Sequence, residues 1–158
     1  MDGANIGREI GVGYRWQGGQ TSSATINVNS NGSLNLITGS VDIGVTGPAV
    51  AMQVTETLGL AVEDIFPTVG DTDAVGYTAN TGGSRTAFDT GLAAIAAAEE
   101  VKKQMASRAS LIWEVQDEDV RFEDGTFICS KNTSDRLTFQ ALAARQMQPG
   151  GPTTCSGP

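Results

Sequence analysis

Two glycine-containing loops, each followed directly by a predicted helix, are the segments best placed to bind a ligand. The first contains Gly44 and Val45, and the second runs from Gly82 and Gly83 into the segment 84–86. A helix N-terminus offers unpaired backbone N–H groups and the positive end of the helix dipole, and glycine lets a phosphate approach the backbone. The pattern therefore predicts an anion site between the two loops, as for a phosphorylated cofactor. Ordinary turns with helix caps are the alternative, because glycine is common in turns.

The second loop adds side chains that suit an anion. Ser84 and Thr86 supply hydroxyl donors, and Arg85 supplies a planar guanidinium whose donors match phosphate. Neither loop is a P-loop, since the lysine and the spacing of that motif are absent.

Three aspartates form a different candidate site. Asp71 and Asp73 follow a predicted strand two residues apart, so both side chains would point to one side in extended backbone. Asp42, at the end of an earlier predicted strand, could be a third ligand. Carboxylate oxygens suit Mg²⁺, Mn²⁺ or Ca²⁺, which could activate water in a hydrolase of ester or phosphoester bonds. Solvated aspartates in turns are the alternative.

Composition excludes several classes of protein. The chain has 158 residues, a net charge of -8 and no histidine. Serine–histidine and cysteine–histidine hydrolases and zinc proteases of the usual kind are therefore excluded. The excess of acidic residues argues against a nucleic-acid partner. No apolar stretch is long enough to span a membrane and no signal peptide is recognised, so we expect a cytoplasmic protein with reduced cysteines.

Alternating apolar and polar residues predict β structure in the first third. Residues 25–29 and 34–36 alternate in this way and are joined by Asn31 and Gly32, which favour a hairpin turn. Residues 10–16 could add a third strand. Residues 62–70 indicate a buried strand, which Pro67 pushes toward the edge of a sheet.

Two main helices should follow the two loops. The first is predicted from Pro48, at the first helical position, to Leu58, with Gly59 as a left-handed stop. The second is predicted from Thr86 toward residue 115, with Thr86 and Asp89 as a capping pair.

The remaining elements complete an α+β domain. Residues 120–128 predict a second hairpin, turned by Asp124 and Gly125, and residues 138–146 a short C-terminal helix. The order of elements predicts a two-layer domain of β-hairpins in an antiparallel-leaning sheet, with two main helices and the short one. The domain is expected to span residues 1–148, followed by an irregular tail at 149–158.

Four motifs in this order resemble a known family. They are residues 38–44, 56–60, 69–73 and 81–86. Together they look like the molybdopterin-binding region of the xanthine dehydrogenase and aldehyde oxidase family, the molybdenum hydroxylases, and the resemblance runs from about residue 7 to 151. It implies that the two loops contact a molybdenum–pterin cofactor. The residues implied are Gly44, Val45, Gly82, Gly83, Ser84, Arg85 and Thr86.

The resemblance also implies what is missing. Subunits of this family hydroxylate aldehydes or N-heterocycles with water as the oxygen source, and they are several times longer than this chain. Their first loop usually continues with Gln-Gly, where this sequence has Val45 and Thr46. A truncated or stand-alone fragment is therefore expected, incomplete for hydroxylase catalysis, with the remainder of such a subunit as its partner. A homo-oligomer is the alternative partner, and a metal-dependent hydrolase or a self-assembling structural domain is the alternative function.

Overall fold

The structure is a computed structural model. It describes residues 8–14 and 19–145, together with the backbone of 154–157. The described elements are β1 (Ala24–Val28), β2 (Leu34–Thr38), α1 (Thr46–Leu58), β3 (Ile65–Val69), α2 (Thr86–Trp113), β4 (Val120–Glu123), β5 (Thr126–Cys129), β6 (Arg136–Thr138), α3 (Phe139–Ala143) and β7 (Thr154–Gly157).

The first sheet has the strand order β3-β2-β1-β7. β1 and β2 form the predicted antiparallel hairpin, in which Val28 pairs with Leu34 and Gly32 adopts the positive φ of 85° that the turn requires. β3 runs parallel to β2, so β2, α1 and β3 form a βαβ unit. This topology brings the carboxyl ends of β2 and β3 next to the N-terminus of α1.

Both long helices pack on the same side of this sheet and give the two-layer α+β fold that the sequence predicts. Alternate residues of β1, such as Ile26, are fully buried against them. The buried face of α2 is rich in alanine, which lets backbones approach closely. Gly91 leaves room on this face for the side chain of Gln53 on α1, which a Cβ at position 91 would displace.

The second sheet has the order β4-β5-β6. Its strands β4 and β5 contact α2, and α3 contacts β6. β4 and β5 are the predicted second hairpin. Its turn touches the end of α1, because a Cβ at Gly59 would lie 2.6 Å from the backbone nitrogen of Gly125. Gly59 has a φ of 59° and ends α1 in the left-handed conformation, as predicted.

Two strand predictions need correction. Residues 10–14 form no strand, and Ile10, Val12 and Tyr14 are almost fully exposed, while residues 15 and 16 lie outside the described part. The place beside β1 is taken instead by β7, which pairs antiparallel with it through Ala24 and Gly157. The tail expected to be irregular therefore contains a strand at Thr154–Gly157, and residues 149–153 are not among those described.

Other boundaries shift by a few residues. α1 begins at Thr46, so Pro48 occupies the third helical position rather than the first. The prediction of a buried strand over residues 62–70 is wrong in its burial. Residues 62–64 form a 3₁₀ turn, and β3 is an edge strand that is exposed apart from Ile65, consistent with Pro67. β6 was not predicted, and α3 is shorter than expected, with Thr138 accepting a hydrogen bond from the backbone N–H of Ala141 as its cap.

The expected capping pair at the start of α2 does not form. The residue before the helix is Arg85, which makes no side-chain cap, and Asp89 pairs with Arg85 instead. None of the helices in the described ranges is long and apolar enough to cross a bilayer. Cys129 is a free, buried thiol at the end of β5.

Candidate functional site

The two loops singled out by sequence lie side by side. The hydroxyl of Thr81 donates to the backbone carbonyl of Val41 across 3.4 Å, which joins the start of the second loop to the segment before the first. The hydroxyls of Ser40 and Thr90 lie 2.6 Å apart and join the same segments in the interior. The chain exit from β2 and the N-terminal end of α2 are therefore held together.

In the first loop, the backbone donors are occupied by an internal carboxylate. Oδ1 of Asp42 accepts hydrogen bonds from the N–H groups of Gly44, at 2.8 Å, and Thr46, at 3.0 Å. Oδ2 accepts from the N–H of Gly47 at 3.0 Å. These donors, that of Gly47 first, hold the pKa of Asp42 below its usual value. Asp42 thus fills the place at the N-terminus of α1 that the sequence assigned to an external anion.

The first loop has unusual backbone geometry. Gly44 has a φ of 124°, and Val45, the residue before α1, has φ 62° and ψ 6°. A β-branched residue rarely adopts this left-handed conformation. The side chain of Val45 is exposed, and a Cβ added at Gly44 would meet nothing within 4 Å. The loop therefore presents an open surface with its backbone donors turned toward Asp42.

The second loop exposes a different pair of residues. Gly83 and Ser84 are both left-handed, with φ values of 64° and 61°, and both are exposed. A Cβ at Gly83 would meet nothing within 4 Å, so another group could approach this backbone closely. Gly82 is half-buried and Thr86 is buried. The accessible part of this loop is thus Gly83 and Ser84.

Arg85 does not face solvent, in contrast to the expectation that it presents its guanidinium to an anion. Only 2% of it is exposed. Its Nε donates to Asp89 at 2.8 Å, and one terminal nitrogen donates to the carbonyls of Ala79 and Asn80 at 2.9 and 3.0 Å. The other donates to the carbonyls of Gln20 and Thr21 and to the hydroxyl of Ser22. All five guanidinium N–H donors therefore have partners inside the protein.

This buried polar network extends to the first loop. Asp89 accepts a hydrogen bond from the backbone N–H of Gln20 at 3.0 Å. The hydroxyl of Thr90 donates to that of Ser22 at 3.2 Å, and Thr90 in turn contacts Ser40. Sequence reasoning missed this network, although an Arg and an Asp four residues apart on a helix were a usable signal.

The three aspartates do not come together as a metal site. Oδ1 of Asp71 accepts the N–H of Asp73 within its own turn at 2.9 Å, and Asp42 caps α1. Across residues 8–14 and 19–145, no three His, Cys, Asp or Glu side chains form a group that could hold a metal ion. The structure therefore gives no support to the alternative of a metal-dependent hydrolase.

A cleft of about 280 Å³ opens at the carboxyl ends of β2 and β3, beside the first loop. Open sheets with parallel strands commonly bind ligands at this end. The residues that line the cleft are Leu36, Thr38, Ser40, Asp42, Thr46, Gly47, Pro48, Val50, Pro67, Thr68, Val69 and Thr90.

Solved structures share this fold. A Cu,Mo-containing CO dehydrogenase in its carbon-monoxide-reduced state aligns with 87% of this chain at a TM-score of 0.79 and 24% identity. The reconstituted CO dehydrogenase from Oligotropha carboxidovorans aligns with 87% at 0.78 and 23% identity. Quinoline 2-oxidoreductase from Pseudomonas putida 86 aligns with 86% at 0.72 and 20% identity. The chain spans only 18% of the length of each of these proteins.

A family model that covers nearly the whole sequence identifies the family of this chain. The model of the family described as "Molybdopterin cofactor-binding domain" matches residues 4–157, which is nearly the entire chain. The resemblance that four ordered motifs indicated is confirmed by this match. The chain therefore belongs to the molybdopterin cofactor-binding domain family.

Proposed function

We propose that this domain forms one wall of a molybdenum–pterin site and that its two loops are the surface that contacts the cofactor. The observation that carries the proposal is the adjacency of the loops, which the hydrogen bond from Thr81 to Val41 fixes. Oxygen transfer and electron uptake are the chemistry that a molybdenum centre would supply there. The contribution of this chain is to bind and orient.

The residues of the second loop fit such a group best. Gly83 is open on the side where a Cβ would stand, and Ser84 is exposed beside it. Gly44 and Val45 offer exposed surface as well. Because Asp42 takes the N–H groups of Gly44, Thr46 and Gly47, the first loop contributes contact area rather than donors for a phosphate.

Two of the residues expected to touch the cofactor act indirectly in this proposal. Arg85 is buried and ties the second loop to the carbonyls of Gln20 and Thr21. Thr86 is buried at the start of α2. Both position Gly83 and Ser84 and leave the contact itself to them.

The partner in this proposal is the remainder of a molybdenum hydroxylase. The three solved structures are each more than five times as long as the aligned region, since the chain covers 18% of them. We propose that other segments of such a protein complete the cofactor site and supply the substrate pocket and the electron acceptors.

The test is retention of the cofactor by the chain after it is co-expressed and co-purified with the remaining segments of a molybdenum hydroxylase, in a host that makes the cofactor. Molybdenum is measured by mass spectrometry, and the pterin by its fluorescence after oxidation. Gly83→Asn keeps a residue that tolerates the left-handed conformation but places a side chain in the open space. Gly13→Asn is the matched control, because a Cβ at Gly13 also meets nothing within 4 Å but lies outside the loops.

We expect the unmodified chain and Gly13→Asn to retain molybdenum and pterin in equal amounts, and Gly83→Asn to lose both several-fold. Absence of both signals from the complex with the unmodified chain, or equal retention by the complex with Gly83→Asn, would contradict the proposal.

A further inference from the structure

The two long helices are apolar on their outer side, away from the sheet, near their N-terminal ends. Among residues 46–58 of α1 and 86–98 of α2, Glu56 is the only charged residue that is not buried. Met52, Phe88 and Leu92 are 62%, 56% and 51% exposed there. A helix surface that faces water normally carries charged and polar residues. We call the surface formed by Pro48, Met52, Phe88, Leu92, Ile95 and Ala96 the outer helical face.

The second half of α2 provides a comparison within the same helix. From Glu99 onward its outer residues are charged, and Lys102 pairs with Glu99 at 2.6 Å and Lys103 with Glu100 at 3.8 Å. The change from apolar to charged residues occurs midway along one continuous helix. Because the fold of this chain leaves both halves open to water, the fold alone does not account for the difference. An apolar surface of this kind is typical of a site that another polypeptide covers.

A groove of about 440 Å³ lies between the two helices on this side. The side chain of Gln53 is fixed within it, because its Nε2 donates to the backbone carbonyl of Ala87 at 3.0 Å. The residues that line the groove are Ala49, Met52, Gln53, Glu56, Thr57 and Ile95. An apolar groove between two helices suits the apolar stripe of a third helix.

The outer helical face begins at the two loops. Gln53 bonds to Ala87 near the start of α2, and further along both helices Thr57 and Lys102 border one depression. The helices therefore run in the same direction, and both loops lie at the same end of the outer helical face. A segment that covers this face also reaches the loops.

We propose that the outer helical face docks an amphipathic helix from the remainder of a molybdenum hydroxylase, with its apolar stripe in the groove and a lysine or arginine at Glu56. The identity of this partner rests on the proposed function. Two observations favour it over a second copy of the chain. The chain spans only 18% of the length of each of the three solved structures, so most of such a protein lies outside it. A second copy docked through the same face would bring another Glu56 and no basic side chain.

The test uses the complex of this chain with the remaining segments of a molybdenum hydroxylase, made in a host that lacks the cofactor, so that docking is measured separately from cofactor retention. Leu92→Lys should raise the dissociation constant about tenfold or more, because it places a charge in the apolar contact. Leu111→Lys is the matched control on the same helix, since Leu111 is exposed but outside the outer helical face. Both variants should match the unmodified free chain in circular dichroism and urea unfolding, which excludes misfolding as the cause.

The charge of the partner is tested at Glu56. Glu56→Gln should weaken the complex about threefold at low salt and less at high salt, because the lost ion pair is screened. Glu118→Gln removes the same charge from an exposed position outside the face and should leave the affinity unchanged.

Peroxide oxidation locates the contact. Met52 is exposed and Met105 is fully buried, so peroxide should convert Met52 of the free chain to its sulfoxide and leave Met105 intact. In the complex, Met52 should react several-fold more slowly, as measured by mass spectrometry of its peptide.

Three results would overturn the docking proposal: no complex with the unmodified chain, unchanged affinity of Leu92→Lys, or equal oxidation of Met52 in the free chain and the complex. Dimerisation of the free chain that Leu92→Lys abolishes, seen by light scattering, would assign the face to a second copy and overturn it as well. A complex that forms through this face but retains no molybdenum in a cofactor-producing host contradicts the proposed function alone. A loaded complex that Leu92→Lys does not weaken contradicts the docking proposal alone.

Discussion

The Nε atom of Arg85 lies 2.8 Å from Oδ2 of Asp89, and both side chains are almost completely buried. The pair stands one helical turn apart at the start of α2, directly after the exposed residues Gly83 and Ser84. Because the remaining donors of Arg85 bind carbonyls 5 to 65 residues away, the guanidinium fixes the second loop against distant parts of the chain. An arginine that looks like an anion ligand is thus a structural anchor.

Removing the guanidinium should be strongly destabilising. Arg85→Met leaves the carboxylate of Asp89 buried without its charged partner, and losses of about 3–5 kcal/mol in the free energy of unfolding are typical of such changes. Urea unfolding followed by circular dichroism measures the loss. Lys103→Met is the control, since Lys103 and its partner Glu100 are 76% and 45% exposed, and it should change stability little. A loss below about 1 kcal/mol in Arg85→Met would contradict a buried anchor.

Local patterns predicted the elements that local physics determines. The hairpin of β1 and β2 follows from alternation around Asn31 and Gly32, and the long helix α2 follows from its alanine-rich sequence. The positions of the two loops before the two helices were also correct. These features depend on neighbours within a few residues.

Contacts between distant residues were not predictable in this way. The pairing of β7 with β1 joins segments about 130 residues apart, and the local sequence of either strand does not identify its partner. The side chain of Arg85 points inward because the carbonyls of Gln20 and Thr21 accept its hydrogen bonds. The side chain of Asp42 points toward its own loop because the N–H groups there, such as that of Gly47, donate to its carboxylate. A glycine-containing loop before a helix is therefore compatible with two structures. It can bind an external anion, or its backbone N–H groups can donate to a carboxylate of the loop itself, as they do to Asp42.

Asp42 should make stability depend on pH. Its pKa is lowered in the folded protein, chiefly by the N–H of Gly47 and then by those of Gly44 and Thr46. A lowered folded pKa contributes stability above the unfolded value of about 3.9, and this contribution is lost as pH falls through the lower folded value. Urea unfolding of the unmodified chain and of Asp42→Asn between pH 2 and pH 7 measures it.

The two proteins should differ in stability at neutral pH and converge under acid conditions. Asp117 and Asp119 also have lowered pKa values, through the hydroxyls of Ser107 and Ser110 and through Lys131 respectively. Both carboxylates remain in the variant, so the difference between the two curves isolates Asp42. A difference that is constant with pH would refute its role as the cap of α1.

Replacing Val45 with glycine should stabilise the fold. The left-handed conformation destabilises a folded L residue by roughly 1–2 kcal/mol, and glycine avoids this cost. Glycine also raises the conformational entropy of the unfolded chain, which offsets about 0.5–1 kcal/mol of the gain. Val45→Gly is therefore expected to gain up to about 1 kcal/mol in urea unfolding. Val41→Gly, at an exposed position without a positive φ, should lose stability instead. A loss in both variants would show that Val45 makes contacts that outweigh its backbone strain.

Two left-handed glycines with different surroundings separate backbone strain from crowding. Gly59 and Gly83 have φ values of 59° and 64°, but a Cβ at Gly59 would lie 2.6 Å from the backbone nitrogen of Gly125, whereas one at Gly83 meets nothing within 4 Å. Gly83→Ala should therefore cost only the roughly 1–2 kcal/mol of the conformation. Gly59→Ala should cost that amount and about 1–3 kcal/mol more, because α1 must move away from the β4–β5 turn. Urea unfolding of both variants gives the comparison, and equal losses would mean that the end of α1 and this turn are not in tight contact.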